Sequence, residues 1–182
     1  MTSDNIMTSD NDPAVLRRGL DQLAGLLDDV PGGALDDPTP CPQWSVQDLV
    51  DHIVAAPSRF ARMARGEEVD WSATPSAGRA PAAQFRSHAE DLVRAVADDA
   101  AAGGPIPLDW QCAELAVHTW DLATALGRST GDLDAEVAER GLAFMRASLT
   151  EDNRAPAFAP ERAAPEGADA YQRIAAFACR SV

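Results

Sequence analysis

The sequence predicts an all-α fold, a four-helix bundle with additional C-terminal helices, and three observations carry that expectation. Ala, Leu and Val dominate the apolar residues while aromatics make up only 5%. Ala and Leu are strong helix formers, and β-branched runs are scarce. Apolar residues recur at helical spacing in four long segments. Proline, glycine and capping residues mark where those segments start and stop. With 182 residues the chain suits one domain, and a chain this long buries about two-thirds of its unfolded surface without a disulfide or metal staple.

The polar phrase MTSDN stands at Met1 and again at Met7. Residues 1–12 therefore read as a disordered tail, with Met7 an alternative start, and the domain as 13–182. The first helix opens with Asp12 as cap and Pro13 in the first turn. Val15, Leu16, Leu20, Leu23, Leu26 and Leu27 form its apolar face, and Pro31-Gly32-Gly33 stops it. The segment LDDPTPCPQW follows as an extended, proline-stiffened loop. Ser45 caps the second helix, with Asp48 standing where a capping box has Glu or Gln. Val46, Leu49, Val50, Ile53 and Val54 carry that helix towards Arg65. Pro57 inside it predicts a kink or break near His52–Ile53. Gly66 to Pro81 reads as loop. The third helix runs from Pro81 to about Ala101 and ends at Gly103-Gly104-Pro105. The fourth runs from a cap at Asp109 to Gly127. A fifth fits Asp134 to Leu149, and a shorter one Ala168 to Cys179. The Pro/Ala-rich segment 154–167 is expected to lie over the bundle surface.

A formal charge of -14 and a pI near 4.4 make the surface acidic. Such a surface repels phosphate backbones and anionic lipids, and no basic cluster opposes it, so nucleic acid is not an expected partner. No window approaches the ~18 apolar residues of a membrane span, and the N-terminus lacks the pattern of a secretory signal. The expected compartment is the cytoplasm, with a monomer or homodimer as the form of the protein. Three widely spaced cysteines, Cys41, Cys112 and Cys179, make neither a disulfide framework nor a CxxC metal site.

Chemistry concentrates around two of the three histidines. Glu114 and His118 stand four residues apart, which puts them on one helical face about 5–6 Å apart at Cβ. A carboxylate and an imidazole at this spacing can close on one metal ion, as in bundle-core metal sites. They can equally form a surface hydrogen-bonded pair. His52 sits among Leu49, Val50 and Ile53, so it is either a third ligand from a facing helix or a core histidine bonded to a carbonyl. The residues alone leave both open.

The segment TPCPQWSVQDLVDHIV (39–54) resembles the signature TPCPxWxVxDLxxH of the mycothiol-dependent maleylpyruvate isomerase N-terminal domain family, within the DinB-like superfamily. The segment ELAVHTWDLATALG (114–127) resembles that family's second signature, ExxxHxWDLAxAxG. The chain is similar to the single-domain actinobacterial branch of that family. The resemblance implies an up-down-down-up bundle. It also implies a divalent metal, usually Zn2+, held by His52, Glu114 and His118. Three protein ligands leave a fourth position open, the pattern of a catalytic zinc. In the family that position takes water or the thiolate of mycothiol, which enters as a co-substrate.

Neighbouring residues have two readings each. Asp121 either accepts a hydrogen bond from a ligand imidazole and fixes its tautomer or is an ordinary polar residue. Arg59 and Arg62 either reach the carboxylate of an anionic substrate or thiol, or pair with surface acids. Trp44 and Trp120 are read as core anchors rather than substrate walls. Cys41 and Cys112, with no base nearby in sequence, are read as buried structural thiols. His88, beside Glu90 and Asp91, is read as solvated.

The expected function is a metal-dependent enzyme that activates a low-molecular-weight thiol or water for S-transfer or isomerisation of a small electrophile. The alternative is a non-catalytic metal-binding bundle, a sensor or partner-binding module. Isomerases of the family that act on maleylpyruvate have a second, C-terminal domain. The sequence here stops at Val182 without one, which moves the expectation towards thiol transfer.

Overall fold

The computed structural model describes residues 13–101, 107–155 and 158–182. Among them are six helices and no strand: α1 Pro13–Asp28, α2 Val46–Ala64, α3 Pro81–Ala101, α4 Leu108–Ala125, α5 Ala135–Ser148 and α6 Ala170–Phe177. The expected tail 1–12, its Asp12 cap and the Gly103-Gly104-Pro105 stop lie outside the described residues. No described helix is long and apolar enough to cross a membrane.

The apolar stripe of α1 is buried through Val15, Leu16, Leu20, Leu23 and Leu27. The capping box of α2 forms with an aspartate: Ser45 Oγ accepts from the Asp48 amide, and the Asp48 carboxylate accepts from the Ser45 amide. Such a box satisfies two orphan donors at once. The predicted break in α2 does not occur, and the helix runs unbroken past Pro57. One lost backbone bond is outweighed here because α2 is packed against both α3 and α4, and tertiary packing supplies most helical stability. His88 is not solvated as expected. It is half-buried, and its Nδ1–H donates to the Val54 carbonyl at 2.8 Å, bracing α2 in the turn before the proline.

The start of α4 also differs from expectation. Pro107 takes the cap position without a side-chain hydrogen bond, and Asp109 lies inside the first turn. Its charge there favours the positive end of the helix, and it accepts from Arg140 Nε at 2.6 Å. At the other end Gly127 adopts φ 65°, which lets the Arg128 amide return to the Ala123 carbonyl at 2.8 Å. Glycine suits this left-handed position.

Helix directions follow from paired residues. Val54 meets His88 and Arg65 meets Asp91, so α2 and α3 are parallel. Gly19 lies by Leu115 and Asp29 by Arg128, so α1 and α4 are parallel. His52 meets Glu114 and Phe60 meets Trp110, so α2 opposes α4. The bundle is therefore up-down-down-up, all-α and DinB-like.

Two apolar clusters hold it together. The first fills the bundle with Leu16, Leu23, Leu49, Ile53, Phe85, Leu92 and Leu122. The second lies between α4, α5 and α6, with Val117, Trp120, Val137, Tyr171 and Ile174. Helix α4 serves both and is buried on nearly every side. Gly141 permits the close approach of α5, because a Cβ there would lie 2.7 Å from the Ala113 backbone. Helix α6 is shorter at both ends than 168–179. An Asp169–Gln172 capping box starts it, and Cys179 at φ 66° follows its end. The connector is not purely superficial. Arg154 is buried, lies 4.6 Å from the centroid of the Phe177 ring and donates to the Phe177 carbonyl.

Candidate metal centre

Helices α2 and α4 face each other where Phe60 packs on Trp110. Further along this seam they bring His52 to Glu114. His52 Nε2 and Glu114 Oε1 are 2.6 Å apart, and His118 Nε2 is 3.4 Å from the same oxygen. The ligand-capable atoms of His52, Glu114 and His118 all lie within 4.8 Å of one another. Two imidazoles and a carboxylate pointing at a shared position can hold a divalent cation, and the set suits zinc and other borderline metals. The helical spacing of Glu114 and His118 does what the sequence suggested, and the third residue comes from the facing helix.

Asp121 stands one turn beyond His118, is 0% exposed and accepts from His118 Nδ1–H at 3.2 Å. Holding the proton on Nδ1 leaves Nε2 as the nitrogen that faces Glu114 and His52. Asp121 is held in turn by Arg180, whose Nε and Nη2 donate to its two oxygens at 2.9 and 2.8 Å. This pair is buried, and its bidentate geometry is what offsets the cost of taking both charges out of water.

The charges are set by these contacts. Burial works against ionisation of Glu114, but the His118 charge and the hydrogen bonds from both imidazoles bring its pKa below the usual carboxylate range. Burial also works against a charged His118, and the carboxylates of Glu114 and Asp121 outweigh it and raise its pKa. For Asp121, Arg180 and His118 overcome burial and lower the pKa. Without metal the pocket thus holds anionic carboxylates against a protonated His118, and a cation bound at Nε2 would take the place of that proton.

A cavity of about 330 Å³ opens at the triad. Its near wall is His52, Glu114 and His118, and its far wall comes from Phe144, Met145, Ser148 and Leu149 at the end of α5. Trp110, Phe158 and Arg180 complete the sides. Trp44 packs against the first core cluster as expected, but only partly buried, and it also faces the site. Its ring lies 4.8 Å from that of His52 and 5.8 Å from that of His118, and it lines the cavity. The loop before α2 turns it there: the single Thr39 hydroxyl proton is shared between the Cys41 and Trp44 carbonyls, 3.0 and 2.9 Å from Oγ1. Cys41 on the same turn is half-buried and faces the cavity, so the buried structural reading fails for it. Cys112 does fit that reading, since burial pushes its thiol up to about 12. Trp120 lies in the second apolar cluster as expected.

Arg59 is not brought to this cavity. It is buried, donates to the Ala73 carbonyl at 2.6 Å and lies 5.3 Å from the centroid of the Trp71 ring, so it anchors the loop after α2. Arg62 pairs with Glu67 at 3.0 Å. Arg180 was missed in the sequence, where nothing links it to Asp121 59 positions earlier. Trp44 could have been found from its place in the first signature, immediately before the helix of His52.

The fold and site define a helical bundle with a possible divalent-metal triad. The chain belongs to the family described as the mycothiol maleylpyruvate isomerase N-terminal domain, which matches residues 16–123. It is also similar to the uncharacterized proteins Rv0738 and MT0763, from two strains of Mycobacterium tuberculosis. Each is 33% identical over 185 aligned positions that cover 91% of this chain and 96% of the relative. No solved structure gives a significant match.

Proposed function

We propose that the protein is a divalent-metal-dependent enzyme, with zinc the first candidate, that uses a low-molecular-weight thiol of the mycothiol type or water on a small electrophile by S-transfer or isomerisation. The observation that carries this reading is the His52–Glu114–His118 cluster forming one wall of a cavity large enough for a small organic molecule. A purely structural metal site needs no such space. A divalent cation at the cluster supplies positive charge that makes a bound thiol or water a nucleophile at neutral pH.

The protein's own groups have separate tasks. Asp121 keeps the His118 proton on Nδ1, and Arg180 holds Asp121 in place. Trp44 packs its ring against both imidazoles and helps hold their orientation. Trp110, Phe144 and Phe158 offer apolar surface to the body of a substrate. Ser148 supplies a hydroxyl that can orient a polar group.

Metal analysis of the purified protein, followed by turnover of a panel of small electrophiles with mycothiol, tests this. The expected result is one divalent ion per chain, absent from His52→Ala, with turnover only by the loaded wild type. A wild type without stoichiometric metal, or a His52→Ala protein that keeps as much, refutes the site. A loaded protein that turns over none of the panel leaves the non-catalytic metal-binding bundle in its place.

A further inference from the structure

Gln111 lies one turn before Glu114 on α4 and is 1% exposed. Neither its amide nitrogen nor its amide oxygen has a hydrogen-bond partner among the described residues. Buried polar groups are nearly always partnered by protein or by an ordered water. A small cavity of about 20 Å³ lies beside it inside the bundle, lined by Gln111, Glu114, His118, Ile53 and Pro57 together with apolar side chains. Leu20, Leu23 and Leu92 also line it, which places it towards α1 and α3, whereas the larger cavity opens towards α5.

A water needs roughly 10–15 Å³ of such space and two to four polar partners. The space suffices for one molecule. Three of the residues that line this mainly apolar cavity carry a polar group that could bind it. The Gln111 amide is the first. Glu114 is the second: both imidazoles approach its Oε1, and a carboxylate offers about four acceptor sites. The Ile53 carbonyl is the third, because Pro57 carries no N–H and deprives it of its helical donor.

We propose that this cavity binds one water molecule, which accepts from the Gln111 amide and donates to the Glu114 carboxylate and the Ile53 carbonyl. Gln111 is then a positioning residue, which fixes the orientation of Glu114 from the bundle interior. It also gives Pro57 a purpose: the proline opens a carbonyl to this water. The water does not depend on the metal reading above, but the positioning role rests on it.

Two measurements decide the matter. Crystals of the metal-free wild type should show a density peak within hydrogen-bond reach of both Gln111 and Glu114. Gln111→Met keeps the volume and removes the amide. Its affinity for zinc, read by chelator competition, should fall on the order of tenfold, the usual effect of losing a partner behind a metal ligand. An empty cavity, or a Gln111 side chain turned to a protein group, overturns the proposal. So does a Gln111→Met protein that binds zinc as tightly as wild type and melts higher, as removal of an unsatisfied amide would cause. If neither protein binds zinc, the proposed function has failed and the density peak alone decides the water.

Discussion

Replacing Arg180 with methionine removes the guanidinium from Asp121 and leaves a fully buried carboxylate facing only His118. Removing one partner of a buried ion pair costs about 3–5 kcal/mol. His118 stays in contact, so the lower figure applies, and about 3 kcal/mol lowers the Tm of a domain this size by roughly 6–12 °C. The loss should depend on pH. In the wild type the depressed Asp121 pKa contributes stability above its unfolded value, near 3.9, and that stability is lost as pH falls through the folded value. In Arg180→Met, burial is no longer countered by the arginine and the Asp121 pKa rises. The deficit is then largest at neutral pH and shrinks as the carboxyl takes up its proton in acid. Differential scanning calorimetry of both metal-free proteins between pH 7 and about pH 4 reads this directly. An unchanged Tm at pH 7, or a deficit that does not vary with pH, refutes the reasoning.

Gly141→Ala forces a methyl against the Ala113 backbone at 2.7 Å. Such overpacking costs about 1–3 kcal/mol and should appear as a lower denaturant midpoint; an unchanged midpoint means that α5 can move away freely. Ser45→Ala removes the cap from the Asp48 amide and should lower stability by about 1 kcal/mol, a shift measurable by urea titration. In native protein, iodoacetamide followed by mass spectrometry should label Cys41 and Cys179 well before Cys112, which is 1% exposed with a thiol pushed up to about 12. Early labelling of Cys112 contradicts the packing of α4 on α5. If zinc binds as proposed, a chelator should lower the wild-type Tm and leave that of His52→Ala unchanged, because only a bound ligand adds to the free energy of folding.

The fold was legible because its signals were local. Leucine spacing in α1, the Ser45–Asp48 box and the start of α5 at Asp134 each act within a few residues, and each stands where expected. Asp109 misled because an acidic residue suits both the cap and the first turn, and only the backbone direction at Pro107 separates them. Pro57 misled for a different reason. The strain it adds is local, but the packing that overrides it comes from α3 and α4, which are distant in sequence. The triad was legible as a spacing and a resemblance. Its surroundings were not, because Trp44 arrives by a turn in a loop and Arg180 by the path of the C-terminal segment. His88 looked solvated beside two acids, yet the face it shares with α2 decides its place.

Helix α4 lies between two neighbours that ask different things of it. Its seam with α2 fixes three donor atoms to within a few ångströms, and little there can change without losing them. Its seam with α5 carries Phe144, Ser148 and Leu149, which shape another wall of the same cavity. The two sides can therefore diverge at different speeds. Exchange of a few side chains near the end of α5 would admit a different guest while the donors stay fixed, so relatives with the same triad need not share a guest.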